Sequence, residues 1–245
     1  MTNKYKNSFK RPKPTIKPRA TGLDLIDPSI NIPINVFHEN TRKIRDLLLE
    51  NKKDDNILRY CIILICGSMD KYMHDIVKIM LLQIFKEKAP AGKSFDNFMI
   101  PISLLKKFDK IEFDPQEKEK ILSDTIYELT SSFTMQKSYA IDRNLGYIIN
   151  FNIWKAIHPR IFMRFKDLTS ITALKKFVDD LADRRNIIAH ELDFQPNSPD
   201  KRPIDYDYVL HTLNVIQFMI EATNYQIIES IKNGQKQDIN MDEKI

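Results

Sequence analysis

Three side chains in the stretch LKKFVDDLADRRNIIAHELDF, residues 174–194, are of types that could do chemistry together: Arg185, Asn186 and His190. Histidine has an unperturbed pKa near neutrality, so it can both take and give a proton. Arginine keeps its charge and offers a planar fork that fits two phosphate oxygens. Asn186, one turn before His190, can hydrogen-bond it or hold a phosphate oxygen. These are the needs of RNA cleavage through the neighbouring 2′-hydroxyl without a metal. One group removes the 2′ proton, another protonates the departing 5′-oxygen, and a cation stabilises the charged phosphorane.

The element that must position them is an amphipathic helix. Leu174, Phe177, Val178, Leu181, Ile188 and Leu192 recur at three- and four-residue steps. Arg185 interrupts this stripe, four after Leu181 and three before Ile188. It must find a partner or a polar cavity, because an unpaired buried guanidinium is too costly. Asp183 stands nearly two turns below His190. Arg185 and His190 are about 140° apart around the helix, so one copy is poorly arranged for the whole reaction. Two copies facing each other across a two-fold axis would gather two arginines and two histidines around one cleft.

The Arg-Asn-x-x-x-His pattern of Arg185, Asn186 and His190 resembles that of the HEPN superfamily, whose active members are metal-independent ribonucleases. The stretch SMDKYMHDIV, residues 68–77, is similar to the second helix of HEPN domains of the RiboL-PSP type. The resemblance implies an all-α helical bundle and a homodimer with a composite site. Arg185, His190 and Asn186 would be its catalytic residues, and RNA would leave with a 2′,3′-cyclic phosphate and a 5′-hydroxyl. It also implies that Ser68, Asp70 or His74 could line the cleft opposite the motif. By residue chemistry alone, Asp70 and His74, four apart, are as easily a surface pair. Arg184 could be the working arginine if the helix is rotated, and Glu191 has no assignable role. The family's setting is that of a toxin or antiviral defence effector, compatible with an antitoxin or activating partner. Some toxin members carry a modified tyrosine two residues after the histidine, but Leu192 stands there.

Composition agrees with an all-α class. Five glycines in 245 residues argue against a glycine-turned β-sandwich or a phosphate loop. The net charge of +5 belongs to one end. Residues 1–20 hold Lys4, Lys6, Lys10, Arg11, Lys13, Lys17 and Arg19 and no acid; the remaining 31 bases face 33 acids, leaving the body near −2. Pro12, Pro14 and Pro18 should keep this arm extended and mobile, either for phosphate contact or as a solubilising tail or strap. Cys61 and Cys66 read as reduced core residues. Scattered histidines give no zinc set, and no cofactor motif is present. With no signal peptide and no membrane-spanning run, a soluble cytoplasmic protein is expected.

In chain order, an irregular lead-in over 21–35 precedes a domain expected over 36–232. The first helix is predicted from Val36 to Glu50 and a long central one from Asn56 to about Lys88. An insert follows over 89–164, with helical pieces near 96–109 and 115–130. Its end is rich in Tyr139, Tyr147, Phe151 and Trp154, among Arg143, Arg160 and Arg164. These could stack and hold unpaired RNA bases, or form an aromatic satellite core or a dimer contact. A proline-rich loop, 195–203, leads to a last helix from Asp205, and the polar tail 233–245 is expected to fray. Rival readings are a catalytically inactive helical module that binds a partner protein or nucleic acid, and a basic-armed DNA-binding protein.

Overall fold

Asp54 begins the central element by accepting hydrogen bonds from the backbone N–H groups of Asn56 and Ile57, at 2.9 and 3.2 Å. Such an N-cap stabilises a helix by about 1 kcal/mol. The helix it opens, α2 (Asp55–Phe85), is 31 residues long, some 46 Å at 1.5 Å per residue. Its buried residues, from Leu58, Cys61, Ile62 and Ile65 to Met80 and Leu81, leave it little exposed face. That is the pattern of a helix surrounded by others.

The computed structural model describes residues 27–109, 114–131 and 134–242, side chains included except at 105, 109 and 234–242. The basic arm and residues 21–26 of the lead-in lie outside the described residues; the rest of the lead-in, expected to be irregular, is a 3-10 turn (Pro28–Asn31) and the first residues of the helix Ile32–Glu50. Within them the chain is all-α, with α1 (Ile32–Glu50), α2, α3 (Ile102–Asp109), α4 (Pro115–Ser131), α5 (Ser138–Leu145), α6 (Ile153–Arg164), α7 (Ile171–Glu191) and α8 (Tyr206–Asp242). The one pairing of extended backbone among them is an isolated bridge between Phe194 and Lys201. None of these helices is long and apolar enough to cross a membrane.

α1, α4, α5, α7 and α8 all pack on α2. α1 starts four residues earlier than predicted because Pro33 fits the first turn, where its missing N–H costs nothing. It buries Ile34, Phe37, Ile44 and Leu48. α8 runs on through Asp242, into the tail expected to fray.

The aromatic stretch is turned inward, so of its alternative readings the base-stacking platform is not the one the fold builds. Trp154 is buried, and Tyr147 and Phe151 pack against the core. Arg160 and Arg164 lie over the rings of Tyr225 and Phe218 of α8. Of the four aromatics, Tyr139 alone is strongly exposed. The satellite-core alternative describes the rest.

α7 is held along its length. Ser170 caps its N-terminus by accepting from Ala173 N–H at 3.1 Å. Asp179 accepts from both the backbone N–H and the hydroxyl of Ser138, at 2.7 and 2.9 Å. Lys137 and Lys175 pair with Asp183 and Asp142, so α5 is latched to the first four turns of α7.

Candidate active site

The motif lies beyond those latches, in the last two turns of α7. The buried line of the helix is Leu174, Val178, Leu181, Ala182 and Ile188. Arg185 sits at its margin, half-buried, and not at its centre as the spacing predicts. Its Nη1 donates to the Asn186 side-chain oxygen at 2.9 Å. Its Nε is buried and has no hydrogen-bond partner. No carboxylate among the described residues is within ion-pair distance of it. Beneath it lies Cys66 of α2, whose thiol contacts the Leu181 carbonyl at 3.8 Å. Burial pushes that thiol up to about 12, with the Arg185 charge pulling it down and Asp70 pushing it up. Burial likewise raises Cys61 to about 11.

His190 is exposed and has no hydrogen-bond or ion-pair partner among the described residues. Asn186 spends its oxygen on Arg185 and does not bond His190. Both imidazole nitrogens are therefore free for a ligand.

What fixes this end of the helix is a residue the sequence did not announce. Leu192, expected on the apolar stripe, is instead the left-handed C-cap at φ 51°, with a side chain 65% exposed. Asp193 follows at φ 67° and is wholly buried. Its Oδ2 accepts from Arg59 Nε at 2.8 Å and Arg184 Nη2 at 2.7 Å. Arg59 Nη2 also reaches the Arg202 carbonyl, and Arg184 Nη2 the Pro203 carbonyl, at 2.8 and 3.1 Å. One buried carboxylate thus ties α2, α7 and the α7–α8 loop together. The signal that could have found it is an acid just past a helix end, among arginines spaced for its bury-and-pair chemistry. Only the fold joins Arg59 to it, 134 residues away.

The other residues expected to bind substrate are placed elsewhere. Arg184, offered as an alternative working arginine, points into the Asp193 cluster and serves the fold. Asp70 is spent on the insert, accepting from Met135 N–H at 2.6 Å and the Gln136 amide at 3.1 Å. His74 stands 3.6 Å from Asp70 and both are half-buried, so they are neighbours but not the surface hydrogen-bonded pair of the alternative reading. Ser68 is buried beside the α1–α2 groove. Arg143 is one residue past Asp142, which pairs with Lys175, and Lys175 precedes His190 by fifteen residues, roughly 22 Å of helix. Within one chain it is not brought to the motif. No cluster of three or more His, Cys, Asp or Glu suited to a metal occurs among the described residues.

Residues 34–229 match the model of a protein family, RiboL-PSP-HEPN. The chain belongs to the RiboL-PSP-HEPN family. The matched range runs through 89–164 as well as the helices that carry the HEPN resemblance. No curated protein and no solved structure matches the chain. HEPN membership is compatible with ribonuclease chemistry.

Proposed function

We propose that this protein is a metal-independent endoribonuclease whose site is completed by a second copy of the chain. The observation that supports it is the pairing state at the end of α7. Among the described residues Arg185 carries a charge with no carboxylate partner, and His190, five residues on, is exposed with both ring nitrogens open. A phosphodiester supplies what each lacks.

In the composite site two α7 ends face each other across a two-fold axis. One His190 accepts the 2′-hydroxyl proton as that oxygen attacks phosphorus. The His190 of the second copy, protonated, gives its proton to the 5′-oxygen as the P–O5′ bond breaks. Arg185 donates to the non-bridging oxygens, where charge grows in the transition state. Asn186, its oxygen held by Arg185, has an amide N–H₂ left to donate to the same phosphate. Atoms balance: the products are a 2′,3′-cyclic phosphate and a 5′-hydroxyl.

The turn at Leu192 and Asp193 keeps His190 at a fixed end instead of a fraying one. A role as a toxin or antiviral defence effector, with an antitoxin or activating partner, belongs to the same proposal.

The test is cleavage of total RNA and of tRNA with EDTA present, comparing wild type with His190→Ala. We expect cyclic-phosphate-ended fragments from the wild type and a loss of at least about a hundredfold in the variant, the lower range for an acid–base group. A wild type that needs added metal, or a His190→Ala variant as active as wild type, overturns the reading.

A further inference from the structure

α8 presents a partly exposed stripe formed by Asn214, Gln217, Phe218, Glu221 and Tyr225. The steps of three and four residues put them on one face. Arginines from both flanking helices lie on it. From α1, Arg45 Nη2 donates to the side-chain oxygens of Asn214 and Gln217, at 2.9 and 3.0 Å. From α6, Arg164 lies 5.2 Å over the Phe218 ring and Arg160 lies 3.9 Å over Tyr225. A cleft of about 80 Å³ separates Arg45 from Arg164.

These three cations differ from the ones that the fold uses in ion pairs. Arg42, Lys71 and Lys176 each pair with an acid four residues on. Arg45, Arg160 and Arg164 have no carboxylate partner among the described residues. For Arg160 and Arg164 the local sequence gives the reason: residues 143–166 hold five bases and no acid, in a body otherwise net negative. The one acid of the stripe, Glu221, is occupied by His38 at 3.3 Å and by the Gln217 amide at 2.9 Å.

A guanidinium laid on a ring or bridging two amides has already lost its rotamer freedom on folding. Its outward N–H groups are then pre-organised for a ligand. From Asn214 to Tyr225 is eleven residues, about 16 Å along α8, a reach suited to a strand and too long for one small anion. We propose that this cleft between α1 and α6 is a second nucleic-acid contact, holding the phosphate backbone of RNA away from the α7 site. The proposed ribonuclease function is what selects RNA among polyanions.

The experiment uses the full chain and a fluorescently labelled 2′-O-methylated RNA of twenty nucleotides, which cannot be cleaved through its 2′-oxygen. Binding is followed by anisotropy between 50 and 200 mM salt. Each phosphate contact to a single strand adds about 0.7 to the salt slope. Changing Arg45, Arg160 and Arg164 together to Gln should therefore lower the slope by about 2 and weaken binding at least tenfold. The same three changed to Lys keep the charge and should keep most of the slope, and thermal melts of both variants show whether the fold survives.

An unchanged slope in the Gln variant overturns the proposal, as does equal loss in the Lys variant when both stay folded. Inorganic phosphate or a mononucleotide competing as tightly as the RNA would make this a small-anion site and also overturn it. Preferential capture by anionic lipid vesicles would do the same. Cleavage of ordinary RNA by the wild type is scored separately: binding here without cleavage sinks only the function proposed at α7, and cleavage without the slope change sinks only this site.

Discussion

Arg184 and Arg185 are neighbours on one helix and have opposite fates. Arg184 turns into a buried carboxylate that also holds Arg59, and its charge is used up in tying the α7–α8 loop to α2. Arg185, 100° further round, has an amide oxygen for one nitrogen and no carboxylate among the described residues, while the Nε of both arginines is buried without a partner there. Desolvating an unpaired charge is costly, so a fold that keeps one gains nothing in stability from it. Pairing state thus separates the arginine that builds the site from the arginine that is left available to it.

The largest effect that would break this division is at the carboxylate itself. Asp193→Ala leaves two guanidinium groups, on Arg59 and Arg184, facing a buried void. Breaking a buried pair from one side costs roughly 3–5 kcal/mol, so the melting temperature should fall by many degrees. Asp193→Asn keeps an acceptor oxygen and tolerates the left-handed backbone, and it should lose visibly less. If alanine costs no more than asparagine, the ion pairs are not what holds the loop.

The next test sets the two arginines against each other. Arg184→Ala removes charge-assisted bonds and should cost about 1.5–3 kcal/mol by denaturant melts. Arg185→Ala removes one amide contact and some stem packing and should cost about 1 kcal/mol or less. For RNA cleavage the order reverses: Arg185→Ala should cost about a hundredfold or more, and Arg184→Ala only what its weakened loop implies. Equal stability losses from the two would erase the distinction.

How much of this was open to the sequence depends on how far apart the partners lie. The helix class, the central apolar helix and the amphipathic α7 were legible, because their signals repeat every three or four residues. The Arg185–Asn186–His190 spacing is legible for another reason, its resemblance to the HEPN pattern, and the chain does belong to that family. Leu192 was misread: periodicity continues through it in the sequence, but the backbone turns left-handed there and throws the side chain outward. Asp193 could not be ranked, since its burial depends on Arg59, a helix away. The aromatic insert stays open in the sequence, because rings in one stretch look alike whether they face unpaired bases or the core. The burial of Trp154 and the packing of Tyr147 and Phe151 against the core decide between them.

The smallest effect expected lies beneath the two arginines, at the thiols of α2. Cys66 and Cys61 are buried and free, and burial raises them from an ordinary value near 9 to about 12 and about 11. At pH 8 a thiol at 12 is ionised in only about one molecule in ten thousand, so neither cysteine should react with iodoacetamide while the fold is closed. The sign for stability follows. Below pH 9 the thiols are protonated folded or unfolded and contribute no pH dependence. Between pH 9 and about 12 the unfolded chain loses protons that the folded one keeps, so stability falls as pH rises. Labelling then becomes a gauge of α7. Because Cys66 touches the Leu181 carbonyl, loosening the end of α7 through Arg184→Ala should speed its labelling at pH 8 more than Arg185→Ala does. A greater rate in Arg185→Ala would mean that Arg185 is the residue that seals the helix, and the division between the two arginines would fall.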